Sequence, residues 1–263
     1  QPRPGPAGTT GLGSPLALAA RLHGPGIATW AVSAAAYTML VGLILPSAGD
    51  IVGTSPQFAQ VIEALGGAGG IADLLVSMVS GFVGIATGAW AVTMVVALVR
   101  EETSGRLAQV LAGPVARGRY LGAVAVLLVT GVVAIPALGG LALGLGHLAA
   151  GGTGAPTLTD PLGAGLVQVP AALVVAGAAL ALYGWVPRLV PLCWALLAWT
   201  FVVGVLGSLL DLPGWLVDLS PYAHLPVVPG HAVTPGPLVV LVVVAVLLGA
   251  VGAVGLRRRD LAG

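Results

Sequence analysis

Six separate apolar runs, each long enough to cross a lipid bilayer as a helix, constrain this chain more than any motif within it. A hydrocarbon core about 30 Å thick needs roughly 20 residues of helix. That length is met near residues 27–45, 74–99, 120–145, 162–186, 189–210 and 238–256. With 57% hydrophobic and only 7% charged residues, and with no lysine or asparagine, 263 residues leave too little polar surface to cover a soluble globule. The runs are continuous rather than alternating, which excludes a transmembrane barrel. Their many glycines and occasional prolines are tolerated in lipid, where neighbouring helices satisfy the freed backbone groups. The expected fold class is all-α: a polytopic membrane protein with six transmembrane helices embedded in the lipid bilayer.

Charge orients such a chain. The polar stretch 100–119, REETSGRLAQVLAGPVARGR, holds six of the nineteen acidic and basic side chains, so it must lie in water at one membrane face. Arginine-rich short loops are retained on the cytoplasmic side. If the amino terminus is cytoplasmic, Arg100, Arg106, Arg117, Arg119, Arg188, Arg257, Arg258 and Arg259 all fall on that side, whereas the opposite loops carry Asp50, Glu63, Asp73, Asp160, Asp211 and Asp218 and no arginine. Both termini are therefore expected in the cytoplasm.

Other segments are less regular. Residues 1–15 are rich in glycine and proline, as in a linker; with no initiator methionine, they suggest processing, trimming or excision from a longer polypeptide. Residues 16–23 predict a short amphipathic turn on the cytoplasmic surface. Residues 55–65 predict an outer amphipathic helix, either a cover for the bundle ends or a gate. Residues 211–237 are too apolar for an ordinary loop and too rich in proline to span, which predicts a pair of short re-entrant or interfacial helices. Within the second span, Ser77, Gly81, Gly84 and Gly88 form one small-residue stripe, suited to close helix packing or to a moving interface; Gly249, Gly252 and Gly255 make a looser one in the last span. Gln168, beside Pro170, is the most polar side chain within a predicted span and should face protein or a pathway cavity.

Absences narrow the chemistry. No ionisable residue lies well inside a predicted span, which disfavours coupling to an ion gradient, and a chain without lysine has no usual phosphate-binding loop. The histidines His23, His147, His224 and His231 show no zinc-protease spacing, and no nucleophile elbow is present. The lone Cys193 lies in an apolar run and behaves as a small hydrophobe. Beyond the topological arginines there is no basic patch for nucleic acid. Neither catalysis, a metal nor a cofactor is expected in this chain.

The stretch EETSGRLAQVLAGPVARGRY resembles the loop between the second and third spans of ABC-2 type exporter permeases. Glu101, Glu102, Gly105, Arg106, Leu111, Pro114, Val115, Arg117 and Arg119 carry the likeness. WLVDLSPYAHLPVVPG at 215–230 and RRRD at 257–260 are similar to the polyketide antibiotic (tetronasin-type) exporter permeases of actinobacteria. The resemblance implies the carboxyl-terminal six-span half of an ABC-2 exporter permease in a bacterial inner membrane. It further implies partner ABC ATPase subunits that carry ATP and Mg, a second six-span half (upstream or an identical copy), and a hydrophobic antibiotic, drug or lipid-like substrate. Ala108 departs from the pattern, since many relatives have a glutamate there. In that reading Glu101, Glu102, Gly105, Arg106, Leu111, Pro114, Arg117 and Arg119 dock the ATPase. Read without the resemblance, Glu102 and Arg106 form an ordinary i,i+4 pair and the arginines only set topology. The competing reading is a membrane assembly or scaffold protein that docks a cytoplasmic partner through the same loop.

Overall fold

A computed structural model describes residues 14–52, 70–104, 117–207, 212–230 and 232–258. The expected helix at 55–65, most of the linker at 1–15, most of the polar loop, the residues after 207 at the end of the fifth span, and His231 lie outside the described residues.

Lipid offers no hydrogen-bond partners, so each apolar run closes its own backbone bonds as a helix. The helices are α1 (Pro15–Val52), α2 (Ile71–Thr103), α3 (Arg117–Ala149), α4 (Thr159–Val167) and α5 (Val169–Trp185). A 3₁₀ segment, Pro187–Leu192, leads into α6 (Cys193–Leu206); then follow the short α7 (Gly214–Val217), a 3₁₀ turn at Pro221–His224, and α8 (Pro235–Arg258). Among the described residues, six units are long and apolar enough to cross a membrane, α4 with α5 forming one and the 3₁₀ segment with α6 another.

The sequence predicts a first span beginning at residue 27, with a separate surface turn before it. Instead α1 runs unbroken from Pro15 through Pro25 and Pro46. The buried face explains this: Ala19, His23, Ala31, Thr38 and Leu45 fall on one side at helical spacing, so the turn at 16–23 is held by packing rather than by the membrane surface. His23, read as a residue near the terminus, is thereby drawn into the bundle.

α2 is the central helix, touching α1, α3, α5 and α6. The outer helices α1, α6 and α8 bury far less of their apolar surface. Along α8, Val240, Val243, Val246, Leu247 and Val251 are exposed, the pattern of a helix facing lipid. Two crossings are close. Gly42 and Gly146 bring α1 onto the backbone of α3, and Gly184 and Gly252 do the same for α5 and α8; a side chain at any of the four would meet main-chain atoms. The Thr38 hydroxyl adds a buried bond from α1 to the Gly139 carbonyl on α3, 2.7 Å.

Spans consecutive along the chain run up and down, so the two closest crossings, α1 with α3 and α5 with α8, join helices that run the same way, with Thr38 beside Gly139 and Gly184 beside Gly252. The charges collect at the helix ends. One end, called here the arginine end, holds Arg21, Arg100, Arg119, Arg188, Arg257 and Arg258; the other, acidic end holds Asp73, Asp160 and Asp218. Asp73 and Asp160 lie near enough for their charges to act on each other.

Candidate functional site: a cavity at a broken helix and a polar root at the arginine end

The fourth span breaks at Gln168. Pro170 at the start of α5 has no N–H to donate to the preceding turn, and the chain passes the gap by a tighter turn in which Gln168 N–H donates to the Gly165 carbonyl at 3.1 Å. The Gln168 side chain is 8% exposed and fills the space left by the missing side chain of Gly84, where a Cβ would sit 2.7 Å from its Oε1. From the acidic end, the turn after α7 brings in Tyr222, whose hydroxyl donates to the Gly84 carbonyl at 2.7 Å. Burial pushes the Tyr222 phenol well above the usual tyrosine range, so it remains a donor. Gly84 lies thirteen residues into α2, about 20 Å from its start at 1.5 Å per residue, so the hairpin reaches deep between the spans. Trp199 on α6 anchors the same hairpin, its indole N–H donating to the Leu216 carbonyl at 3.1 Å.

Beside this junction is a cavity of about 510 Å³. Ser77 and Gly81 of α2, Gln168, Thr200 of α6, Ser220 and Tyr222 provide its polar and small lining, and apolar side chains make up most of the rest. The Thr200 hydroxyl is buried and has no hydrogen-bond partner among the described residues, whereas Ser77 donates to the Leu74 carbonyl at 2.9 Å. A mostly apolar cavity with a few convergent polar groups is the usual form of a small-molecule site. The small-residue stripe divides along its length: a Cβ at Gly81 meets open space, while one at Gly88 would lie 3.0 Å from Leu197 and from the Tyr222 hydroxyl. Thus the stripe packs at Gly84 and Gly88 and lines the cavity at Ser77 and Gly81. Thr200 and Ser220 were not evident in the sequence, and Tyr222, expected with Trp215 as an interfacial anchor of the hairpin, is instead buried against Gly84; only the hairpin's return brings these residues to Gln168.

At the arginine end, α2 continues to Thr103, and the Ser104 N–H closes its last turn on the Arg100 carbonyl at 3.0 Å. Tyr120 of α3, 1% exposed, reaches across to a Glu101 oxygen at 3.5 Å. His23 of α1 is 8% exposed, its Nε2 has no hydrogen-bond partner among the described residues, and the Glu101 charge acts on its ring. Glu102 is partly buried beside them, Arg119 is exposed, and Arg117 opens α3. Gly105, Arg106, Leu111 and Pro114 lie outside the described residues. The sequence singles out Glu101 and Glu102 for docking a partner, not for this contact, and passes over His23 and Tyr120; for His23 the one available signal was the helical period running unbroken from Ala19 through Pro25. Elsewhere, the His224 ring hydrogen-bonds the Asp218 carbonyl at 2.9 Å, and among the described residues no group of His, Cys, Asp and Glu converges on a metal position.

Apolar helices of membrane-spanning length, a cavity with sparse polar lining between α2, α6 and the hairpin, and an arginine end opposite an acidic end define a polytopic membrane domain. The chain belongs to the family described as the C-terminal domain of the multidrug efflux system permease Rv1217c, which matches residues 12–257. It is 31% identical over 260 residues to the multidrug efflux system permease protein Rv1217c of Mycobacterium tuberculosis (strain ATCC 25618 / H37Rv), covering 98% of this chain and 47% of that protein. The chain therefore spans about half the length of this relative.

Proposed function

We propose that this chain is the carboxyl-terminal six-helix half of an ABC-2 type exporter permease, driven by ATP hydrolysed on separate ATPase subunits, that moves hydrophobic drugs, antibiotics or lipid-like compounds out of the cell. One observation carries the reading: α2 holds both proposed working parts. Its first half lines the cavity through Ser77 and Gly81, and its last turn carries Glu101 and Glu102. From Gly81 to Glu101 is about 30 Å of unbroken helix, so a push on the loop reaches the cavity through a single rigid rod.

In this mechanism the stretch 100–119 lies in the cytoplasm of a bacterial cell, and Glu101, Glu102, Gly105, Arg106, Leu111, Pro114, Arg117 and Arg119 seat it in an ATPase groove. ATP and Mg belong to that partner. The Gln168 amide and the Thr200 hydroxyl offer a hydrophobic molecule its few polar contacts, and a second six-helix half supplies the facing wall. Kinship to a multidrug efflux permease supports the broad substrate class; the resemblance of the 100–119 stretch supports the ATP-driven type and the tetronasin-type relationship.

Reconstitution tests this. Liposomes holding the full permease with its ATPase are expected to move a hydrophobic dye only with ATP, and the chain alone is expected to move none. Dye movement by the chain alone on an ion gradient would overturn the reading.

A further inference from the structure

A second cavity, of about 410 Å³, opens at the arginine end between α3 and α8. These helices hardly touch each other; α8 lies on α5, and α3 lies on α1 and α2. Leu180 and Tyr183 of α5 form the floor of the gap. Its rims hold glycines that helix packing does not explain. At Gly118 and Gly122 on α3 and Gly249 on α8, an added Cβ meets nothing within 4 Å, whereas at Gly252 it would strike the backbone of α5. Glycine in a helix interior is a cost unless it allows a close approach, and at Gly122 and Gly249 what it leaves is open space. From Gly249 to Arg257 the groove runs about 12 Å along α8, lined mostly by apolar residues.

The mouth of the groove is cationic. Arg257 lines it, and Arg119, next to Gly118, is exposed on the facing helix. Arg258 is drawn aside over the Trp185 ring, 5.9 Å from its centroid, while the Trp185 N–H donates to the Val251 carbonyl at 3.0 Å. Trp185 is half exposed, as befits an aromatic anchor at headgroup level. An apolar slot with arginine at its water end complements a molecule with an acyl chain and an anionic head, and basic pockets between membrane helices on the cytoplasmic side hold anionic lipid heads. We propose that this groove binds one anionic phospholipid, with an acyl chain between α3 and α8 and its phosphate against Arg257. The assignment rests on the reading of the arginine end as cytoplasmic, the leaflet in which anionic lipids concentrate.

The test is native mass spectrometry of the whole chain in mild detergent, titrated with dioleoylphosphatidylglycerol or dioleoylphosphatidylcholine. The wild type is expected to retain one phosphatidylglycerol in preference to phosphatidylcholine. Arg257→Gln, which leaves the groove walls intact, is expected to weaken phosphatidylglycerol about fivefold, the worth of one arginine at an anionic surface, without changing phosphatidylcholine. Gly249→Leu fills open space and is expected to lower retention of both. Equal retention of the two lipids by the wild type, or wild-type retention by either variant, overturns the proposal. So does displacement of the lipid by rhodamine 6G with the same sensitivity to Gly249→Leu, which would make the groove a drug site. Binding is read without ATPase or transport, so failure of the export reading leaves this result standing.

Discussion

Gly84 is where three elements meet in one residue's space. Its carbonyl accepts from Tyr222, and its missing side chain admits Gln168. Gly84→Ala therefore overpacks a filled site and is expected to cost about 1–3 kcal/mol, read as a lowered thermal midpoint in detergent. Gly81→Ala, one helical turn away, faces the cavity and is expected to be neutral or to gain up to about 1 kcal/mol from helix propensity. Equal effects at the two positions would show that the stripe is uniform and refute its division into packing and lining parts. Tyr222→Phe keeps the ring and loses the bond to Gly84, an expected loss of about 1 kcal/mol, checked by the same melt.

At the scale of elements, α1 and α2 act as long rods whose ends matter most. α1 is held to α3 by the Gly42 and Gly146 crossing and by the Thr38 bond to Gly139. Thr38→Val removes the bond and preserves the shape; interhelical hydrogen bonds in membranes average about 0.6 kcal/mol, so a small fall in thermal midpoint is expected and a large one would point to lost packing. For α2, the expectation is a loss of transport at normal abundance: Glu102→Ala combined with Arg106→Ala should abolish ATP-dependent dye export while membrane insertion stays unchanged. Wild-type export by the double variant would reduce the stretch to a solvated connection.

For the whole molecule, the segregation of charge gives a topology that can be read chemically. In a Cys193→Ser background, single cysteines replacing Thr153 and Ala232 near the acidic end are expected to react with an impermeant thiol reagent on intact cells. A cysteine replacing Ser104, at the end of α2, is expected to stay unlabelled until the membrane is opened. Labelling of the Ser104 position on intact cells would reverse the orientation and with it the placing of the ATPase. These sites are exposed, which keeps the readout independent of core packing.

Local composition was enough to determine that this chain lives in lipid, that it is helical, and that its arginines gather at one end while the other end carries only acids. Those properties depend on run length and charge, which need no partner in space. The same runs also marked Gln168 as anomalous and the second-span stripe as a contact face. What composition could not decide was where helices stop when packing rather than lipid holds them: α1 carries on through Pro25 because Ala19 and His23 are buried against neighbours distant in sequence. Nor could it bring Thr200, Ser220 and Tyr222 to Gln168, or His23 and Tyr120 to Glu101, since each meeting depends on how helices far apart in sequence are set side by side. The division of one glycine stripe into a packed half and an open half is decided in the same way. All its members have the same missing side chain, and only the neighbour opposite each one determines whether the gap is filled by Gln168 and Tyr222 or left as a cavity.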